Sequence, residues 1–338
     1  MKILAIETSC DETSSAVISE GKVLSNVISS QLFHKKWGGV VPELASRAHL
    51  KHISSIIKNA LRDAHLDLSE IDAIAVTQSP GLIGSLVVGT SFAKGLAIKF
   101  NLPIIPVNHI EGHIYSGCIF NKTEFPFISL VVSGGHTSLF LVKSFNEYML
   151  IGSTRDDAAG EAFDKIGKML GLDYPAGPKI DELAKKGDPD KYIFPRSMID
   201  SGDFDFSFSG LKTSVRNFLN YKFNNKIDKN ELLNICAGVQ EAIVDVLVSK
   251  TICSALNFNV NTIAIAGGVS ANSRLRHRIA IEAQKNNMFL TIPEFEFCMD
   301  NAGMIGFISE KRILEKGKDN FLNFDFVVSS KPYRSKYR

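Results

Sequence analysis

Little in the composition of this chain places it by itself. Its five cysteines, Cys10, Cys118, Cys236, Cys253 and Cys298, are odd in number and form no CxxC pair. That excludes a disulfide framework and a cysteine-based metal site, and points to free thiols in a reducing compartment. Net charge is only +2, from 38 basic against 36 acidic residues, so any RNA contact must come from local patches rather than from a global field. The chain has no GxGxxG fingerprint, no Walker A sequence and no HExxH helix, which removes the common motif routes to a dinucleotide enzyme, a P-loop NTPase or a zinc protease. No apolar stretch reaches the expected length of a membrane span. The opening Met1–Thr13 turns polar after six residues, too soon for the apolar core of a signal peptide. These absences predict a cytoplasmic protein without membrane association.

What is present is an ordinary globular balance, 338 residues with 45% hydrophobic and 22% charged, enough for two domains. Apolar runs at Lys2–Thr8, Ser15–Ser19 and Val23–Ser29 predict a strand meander turning at Glu20-Gly21. Helical spacing over Glu43–His65, a strand at Ala73–Thr77, a helix over Gly84–Phe100 and a strand at Ile104–Val107 follow. The pattern then restarts. Strands are predicted at Phe127–Ser133, Thr137–Lys143 and Glu147–Ser153, and helices at Ala159–Leu170 and Lys179–Lys186. After a Phe-rich loop, Asp200–Ser209, come a helix over Leu232–Leu256, a strand at Thr262–Ala266, a helix over Asn272–Lys285, a strand at Met288–Ile292 and a last helix from about Asp300. Each half opens with a meander and continues as alternating helix and strand, a duplication of topology that predicts two α/β lobes with a cleft between them.

Five motifs carry candidate chemistry. His109-Ile-Glu-Gly-His113 puts two imidazoles at i, i+4 on one helix face, a metal-binding spacing that needs a third ligand from elsewhere. Ile110 stands where a zinc protease has its general base, and Glu111 at i+2 points off the ligand face. Val132-Ser-Gly-Gly-His136-Thr137 reads either as a hairpin turn or as an anion cradle of backbone N–H groups. Ala266-Gly-Gly-Val-Ser-Ala-Asn272, between a strand and a helix, reads as a nucleotide-binding junction or as a simple helix cap. Thr8-Ser-Cys-Asp11-Glu-Thr13 is a polar turn suited to phosphate or metal-bound water. Cys298-Met-Asp300-Asn opens the last helix, where Asp300 is a cap or a distant metal ligand. The acids Asp156, Asp157, Glu161, Asp164 and Asp181 read as an exposed face or as hydroxyl recognition. The basic clusters Arg274–Arg278 and Lys331–Arg338 read as solvated surface.

In this order the blocks resemble one family. Lys94–Ile114, Gly38–His49, Val132–Thr137, Asp156–Asp164, Gly171–Pro175, Phe206–Lys212 and Ala266–Asn272 look like members of the bacterial-type tRNA N6-adenosine threonylcarbamoyltransferases, once labelled glycoproteases. The resemblance implies an actin/Hsp70/sugar-kinase-like fold. It implies an N-terminal lobe over 1–120, completed by a helix at about 300–325, a C-terminal lobe over 121–299 and a basic irregular tail at 326–338. It implies one divalent ion, Fe(2+) or Zn(2+), on His109, His113 and Asp300. It implies donor binding by Val132, Ser133, Gly134, Gly135, His136, Asp164, Gly177, Asp181 and Asn272, with L-threonylcarbamoyladenylate, an adenine nucleotide, as the donor. Ser9, Asp11 and Glu12 become the catalytic candidates, Asp11 for proton removal. The implied partners are tRNA, a shorter non-catalytic paralogue and a small P-loop ATPase. A metal-dependent hydrolase using His109 and His113, and a non-catalytic actin-fold ATPase or scaffold, stand as the alternative readings.

Overall fold

The computed structural model describes residues 1–121, 123–223, 227–322 and 324–331, the side chains of Leu32, Lys35 and Lys36 excepted. Of the predicted basic tail, 332–338 lies outside the described residues. The chain divides into two compact units, Met1–Phe120 with Met299–Arg338, and Asn121–Cys298.

The first unit is built on β1 (Lys2–Glu7), β2 (Glu12–Ser19), β3 (Lys22–Ser30), β4 (Ala73–Ser79) and β5 (Ile104–Asn108), with helices α1 (Pro42–Asp63), α2 (Ile83–Phe100) and α3 (His109–Ser116). The sheet order is β3-β2-β1-β4-β5, antiparallel across β1–β2–β3 and parallel across β1–β4–β5. β1 is central and covered on both faces, which is why Ile3, Leu4, Ala5 and Ile6 form an unbroken apolar run rather than an alternation. Pro42 opens α1 with its φ already helical, and Ile53, Ile56, Ile57, Ala60 and Leu61 recur on its buried face.

The second unit contains β6 (Phe127–Val132), β7 (Thr137–Ser144), β8 (Glu147–Ser153), α4 (Ala159–Met169), α5 (Gly177–Ala184), α6 (Ser209–Phe223), α7 (Lys229–Asn257), β9 (Thr262–Ala266), α8 (Ser273–Lys285) and β10 (Phe289–Thr291). Its order, β8-β7-β6-β9-β10, repeats that of the first sheet strand for strand. Its core is α7, buried almost all round from Ile235 to Val248, as expected of a helix with no polar face. The buried Lys250 Nζ on the same helix donates to Ser201 Oγ at 3.0 Å and to the Asp203 carbonyl at 2.8 Å, so its charge is hydrogen-bonded.

The chain then returns to the first unit with α9 (Ala302–Lys316). Contact with the sheet is close. A Cβ on Gly306 would lie 2.1 Å from Ile18 Cδ1, 2.8 Å from its Cγ1 and 3.1 Å from Ala5 Cβ, so the glycine sits close against β1 and β2. Beyond α9 the described residues are irregular apart from a 3-10 turn at Lys318–Phe321, yet they are anchored. Lys94 Nζ donates to the Phe326 carbonyl at 3.0 Å, and Gln78 Nε2 to the Val327 carbonyl at 2.7 Å.

Two expectations need correction. The sequence reading has no helix between Ser209 and Lys229, where α6 stands. Its start is stabilised from far away: Asp156 accepts the N–H groups of Phe208 at 2.8 Å and Ser209 at 3.2 Å. The chain also does contain helices long and apolar enough to cross a membrane by length and composition, Ile83–Phe100 and Lys229–Asn257. The apolar window of Lys229–Asn257 is 72% buried within its own fold, the signature of a core helix, and that of Ile83–Phe100 is 33% buried.

Candidate active site

In the first unit β5 ends at Asn108, whose side-chain oxygen accepts the N–H groups of Ile110 at 2.9 Å and Glu111 at 3.2 Å and so starts α3 at His109. One turn later comes His113. The two rings stand edge to face, centroids 4.7 Å apart, and both are buried. Asp300 reaches them from 187 residues along the chain, its Oδ1 3.0 Å from His113 Nε2 and 3.4 Å from His109 Nε2. One ligand-type atom from each residue lies within 4.8 Å of the other two.

Behind this trio sits a residue the sequence reading passed over. Glu7, fully buried at the end of β1, places Oε2 3.2 Å from His109 Nδ1 and accepts hydrogen bonds from Thr77 Oγ1 and from Ser9 N. An ionised carboxylate can only accept, so Nδ1 carries the proton and Nε2 is directed at Asp300. Ser9 Oγ also lies 3.2 Å from His109 Nδ1. Since both Ser9 and Glu7 meet the same ring nitrogen, the group is not a serine–histidine–acid relay, which needs them on opposite nitrogens.

Electrostatically the trio is short of positive charge. Burial raises the Glu12 carboxyl well above its usual range, and Asp300, Asp11 and Glu7 add to the effect. Burial alone would lower His109, but Asp300 and Glu7 outweigh it and hold the imidazole well above its ordinary value. Burial pushes Asp300 up, and the two histidines override it and hold the carboxyl well below its ordinary range. A cation bound among these groups would relieve the same imbalance. The donor set fits one: two imidazoles and a carboxylate, with the tautomer of His109 held by a carboxylate. His113 Nδ1 is buried without a hydrogen-bond partner among the described residues.

Ser9 and Asp11 belong to the β1–β2 turn beside this trio, and Glu12 opens β2 directly after it. Burial raises both the Cys10 thiol and the Glu12 carboxyl, and the Asp11 carboxylate beside them adds to the effect. The turn is braced from α1 by His49, whose Nε2 is 2.9 Å from the Cys10 carbonyl and whose Nδ1 is 2.8 Å from Thr13 Oγ1.

In the second unit the remaining candidates form one linked rim where β6 and β9, paired in parallel, end side by side. Ser133 N donates to the His136 carbonyl at 2.8 Å, so Val132–Thr137 is the β6–β7 hairpin turn. Neither Gly134 nor Gly135 has a positive φ, and a Cβ on either would meet nothing within 4 Å. The turn itself therefore does not require glycine, and the two positions leave room for a ligand to approach the backbone. Gly267 does need to be glycine: its φ is +85° and a Cβ would sit 2.5 Å from the Val132 carbonyl oxygen.

From there the contacts run along the rim. Asp164 of α4 accepts Ala176 N at 2.7 Å and braces the start of α5 at Gly177, though burial still raises its carboxyl. Asp181 of α5 accepts Ser273 Oγ at 2.8 Å. Asn272 caps α8 through Leu275 N at 3.0 Å and donates Nδ2 to Gln240 Oε1 of α7 at 2.8 Å. Gln240 is a further residue that only the fold reveals.

The neighbouring basic cluster is spent within the protein. Arg274 and Arg278 pair with Glu241 at 2.6 and 2.5 Å, and Arg276 Nε donates to the Ser270 carbonyl at 2.8 Å. The acids of the other predicted face are likewise engaged: Asp156 at the start of α6, and Asp157 with Lys165 and Lys212 at 2.7 and 3.2 Å.

Residues 22–307 match the sequence model of a family described as tRNA N6-adenosine threonylcarbamoyltransferase. The chain belongs to that family. It is 50% identical over 319 residues to the tRNA N6-adenosine threonylcarbamoyltransferase of Thermosipho africanus (strain TCF52B), covering 94% of this chain and 96% of the relative. Among solved structures it resembles component A of the (R)-2-hydroxyglutaryl-CoA dehydratase of Acidaminococcus fermentans, with a TM-score of 0.55 at 13% identity over 93% of this chain and 99% of that one. It also resembles full-length HypF, with a TM-score of 0.63 at 12% identity over 94% of this chain and 47% of that one. At such identities the likeness is one of fold, and it bears out the duplicated actin/Hsp70/sugar-kinase-like architecture expected from the sequence.

Proposed function

We propose that this chain is a metal-dependent transferase that moves the threonylcarbamoyl group of L-threonylcarbamoyladenylate to N6 of the adenosine next to the anticodon, in tRNAs reading codons that begin with A. The bond that forms joins N6 to the carbamoyl carbon. The bond that breaks joins that carbon to the phosphate oxygen, AMP leaves, and N6 gives up one proton. Family membership supports the reaction, and the convergence of His109, His113 and Asp300 is the observation that carries the metal reading.

A divalent ion held there, iron(II) first and zinc(II) second, would supply Lewis acidity toward a carbonyl or phosphate oxygen. The residues do the rest. Glu7 fixes the His109 ring so that Nε2 faces the site. The open backbone at Gly134 and Gly135 offers N–H groups to developing charge on the donor. Asn272, Gln240 and Asp181 form the seat for the adenosine of the leaving AMP. Asp11 is the candidate to receive the N6 proton. Adenine N6 is a weak nucleophile, so positioning contributes much of the rate. The shorter paralogue and the small P-loop ATPase are the expected partners, and a tRNA substrate places the work in the cytoplasm.

The peptidase reading loses ground at one residue. Glu111, the acid between the histidines, is ion-paired with Arg312 at 2.5 Å and is unavailable as a base. The experiment that tests the assignment is nucleoside mass spectrometry of bulk tRNA from depleted cells, rescued by wild type or by His109→Ala. Loss of N6-threonylcarbamoyladenosine that only wild type restores supports it; normal levels without the protein overturn it.

A further inference from the structure

The three residues between the metal-type histidines are all engaged on protein. Ile110 is in the core. A Cβ on Gly112 would lie 3.0 Å from Ile305 Cδ1 and from Met304 Cγ, so α3 rests directly on α9. Glu111, 4% exposed, places Oε2 2.5 Å from Arg312 Nη2 on the far half of α9. Arg312 Nη1 donates to the Pro106 carbonyl of β5 at 2.8 Å. Burial pushes the Glu111 carboxyl up, and Arg312 is the main influence drawing it back. Asp300 lies at the opposite end of α9, next to its cap, Asn301.

One side of the trio is therefore carried by α3 and the other by the head of α9. The apolar contacts at Ile305 and Met304 hold the helices close but are non-directional, and by themselves would allow a small shift in register. A buried ion pair does not, because any shift leaves two charges unpaired in a poorly solvated place.

We propose that Glu111 and Arg312 are positioning residues that lock the register of α3 on α9, and thereby set the distance from the two imidazoles to the Asp300 carboxylate. This rests on the reading of that trio as a metal site.

The test uses the full chain stripped of metal and titrated with Co(2+) against a competing chelator, reading affinity and the visible absorption band, beside thermal unfolding of the apo form. Glu111→Gln should weaken Co(2+) by up to about tenfold, the least expected for a group bonded to a ligand, since Glu111 acts one contact further out, and should shift the band. Arg312→Met should do the same, and the double variant should bind no worse than either single one, since the two act as a pair. Arg312→Lys, which keeps the charge, should recover most of the affinity; Arg312→Met serves as the probe if Glu111→Gln does not fold, with the same loss expected. Wild-type affinity and band in the folded variants, with only a lower apo Tm, would reduce the pair to a structural bridge and overturn the inference. A wild-type protein that takes up no Co(2+), Fe(2+) or Zn(2+) would overturn the metal reading itself, and this inference with it.

Discussion

The turn after the first strand of each unit occupies the same topological place and does opposite things. In the first unit, between β1 and β2, it carries Ser9 and Asp11, with Glu7 just before it and Glu12 just after it, and Glu7, Ser9 and Glu12 are all buried. In the second unit, between β6 and β7, it carries Ser133, Gly134, Gly135 and His136, with the two glycines exposed and open. The two sheets have the same strand order, so the difference comes from side chains, not from topology. One copy of the framework gathers titratable side chains at this place; the other leaves open backbone. Fold alone would not tell them apart, and function lies in what was grafted onto each.

The largest break in this comparison comes from removing a ligand-type side chain. His109→Ala should lower transfer to tRNA by about a thousandfold or more, since a bound metal stabilises developing charge by several kcal/mol. Metal content of the purified variant should fall with it, which mass spectrometry of tRNA nucleosides and elemental analysis check together. Next in size is Glu7→Gln. It keeps the shape but gives His109 Nδ1 an amide in place of a carboxylate. Metal affinity should fall about 10–100-fold, the range seen when an outer-shell carboxylate is removed. Chelator competition measures it, and an unchanged affinity would demote Glu7 to a packing residue.

These two residues also mark what could be read beforehand. α1 was legible because hydrophobic period is a local signal, and both meanders and α7 because apolar runs of strand or helix length are local signals too. The pair His109 and His113 was legible from its spacing. Asp300 was legible only as one of two readings, helix cap or distant ligand, because it lies 187 residues from His113, and the family resemblance favoured the second. Glu7 gave no signal, because a single acid ending an apolar strand looks like the start of a solvated turn. Glu111 was read as pointing away from the ligands, and its partner Arg312, 201 residues on, could not be inferred. Gly134 and Gly135 left turn and cradle undecided, and their ordinary φ values were needed to weigh the two.

Glycine substitutions sharpen the contrast from the other unit. At Gly267, with φ +85° and the Val132 carbonyl 2.5 Å from a would-be Cβ, alanine brings both strain and a clash. Gly267→Ala should destabilise the fold by about 1–3 kcal/mol and lower Tm accordingly. Gly134→Ala should leave Tm within error, because the space around it is open and its backbone ordinary. If Gly134 belongs to the donor site, the same substitution should raise KM for the adenylate several-fold at unchanged stability. A variant that is both stable and kinetically normal would return the β6–β7 turn to a plain hairpin.

The smallest effect concerns α6, the helix that sequence reasoning missed. Its apolar positions Leu211, Val215 and Leu219 are sparse, and its start depends on a carboxylate 53 residues upstream. Asp156 accepts two N–H groups there and the hydroxyls of Ser207 at 2.5 Å and Ser209 at 2.7 Å. Burial raises this carboxyl, but these four donors outweigh it and hold it below the ordinary Asp range. A depressed pKa in the folded state means that the carboxylate stabilises the fold fully above the unfolded value of about 3.9 and loses that contribution as pH falls through the folded value. Asp156→Asn should therefore lower stability by about 1 kcal/mol at neutral pH, the usual worth of a helix-start acceptor. The gap between variant and wild type should narrow as pH falls from about 4 through the folded value, below which both side chains are neutral. Urea titrations at pH 7 and at the acid end measure it directly. A gap that stays constant with pH would show that shape, not charge, holds the start of α6.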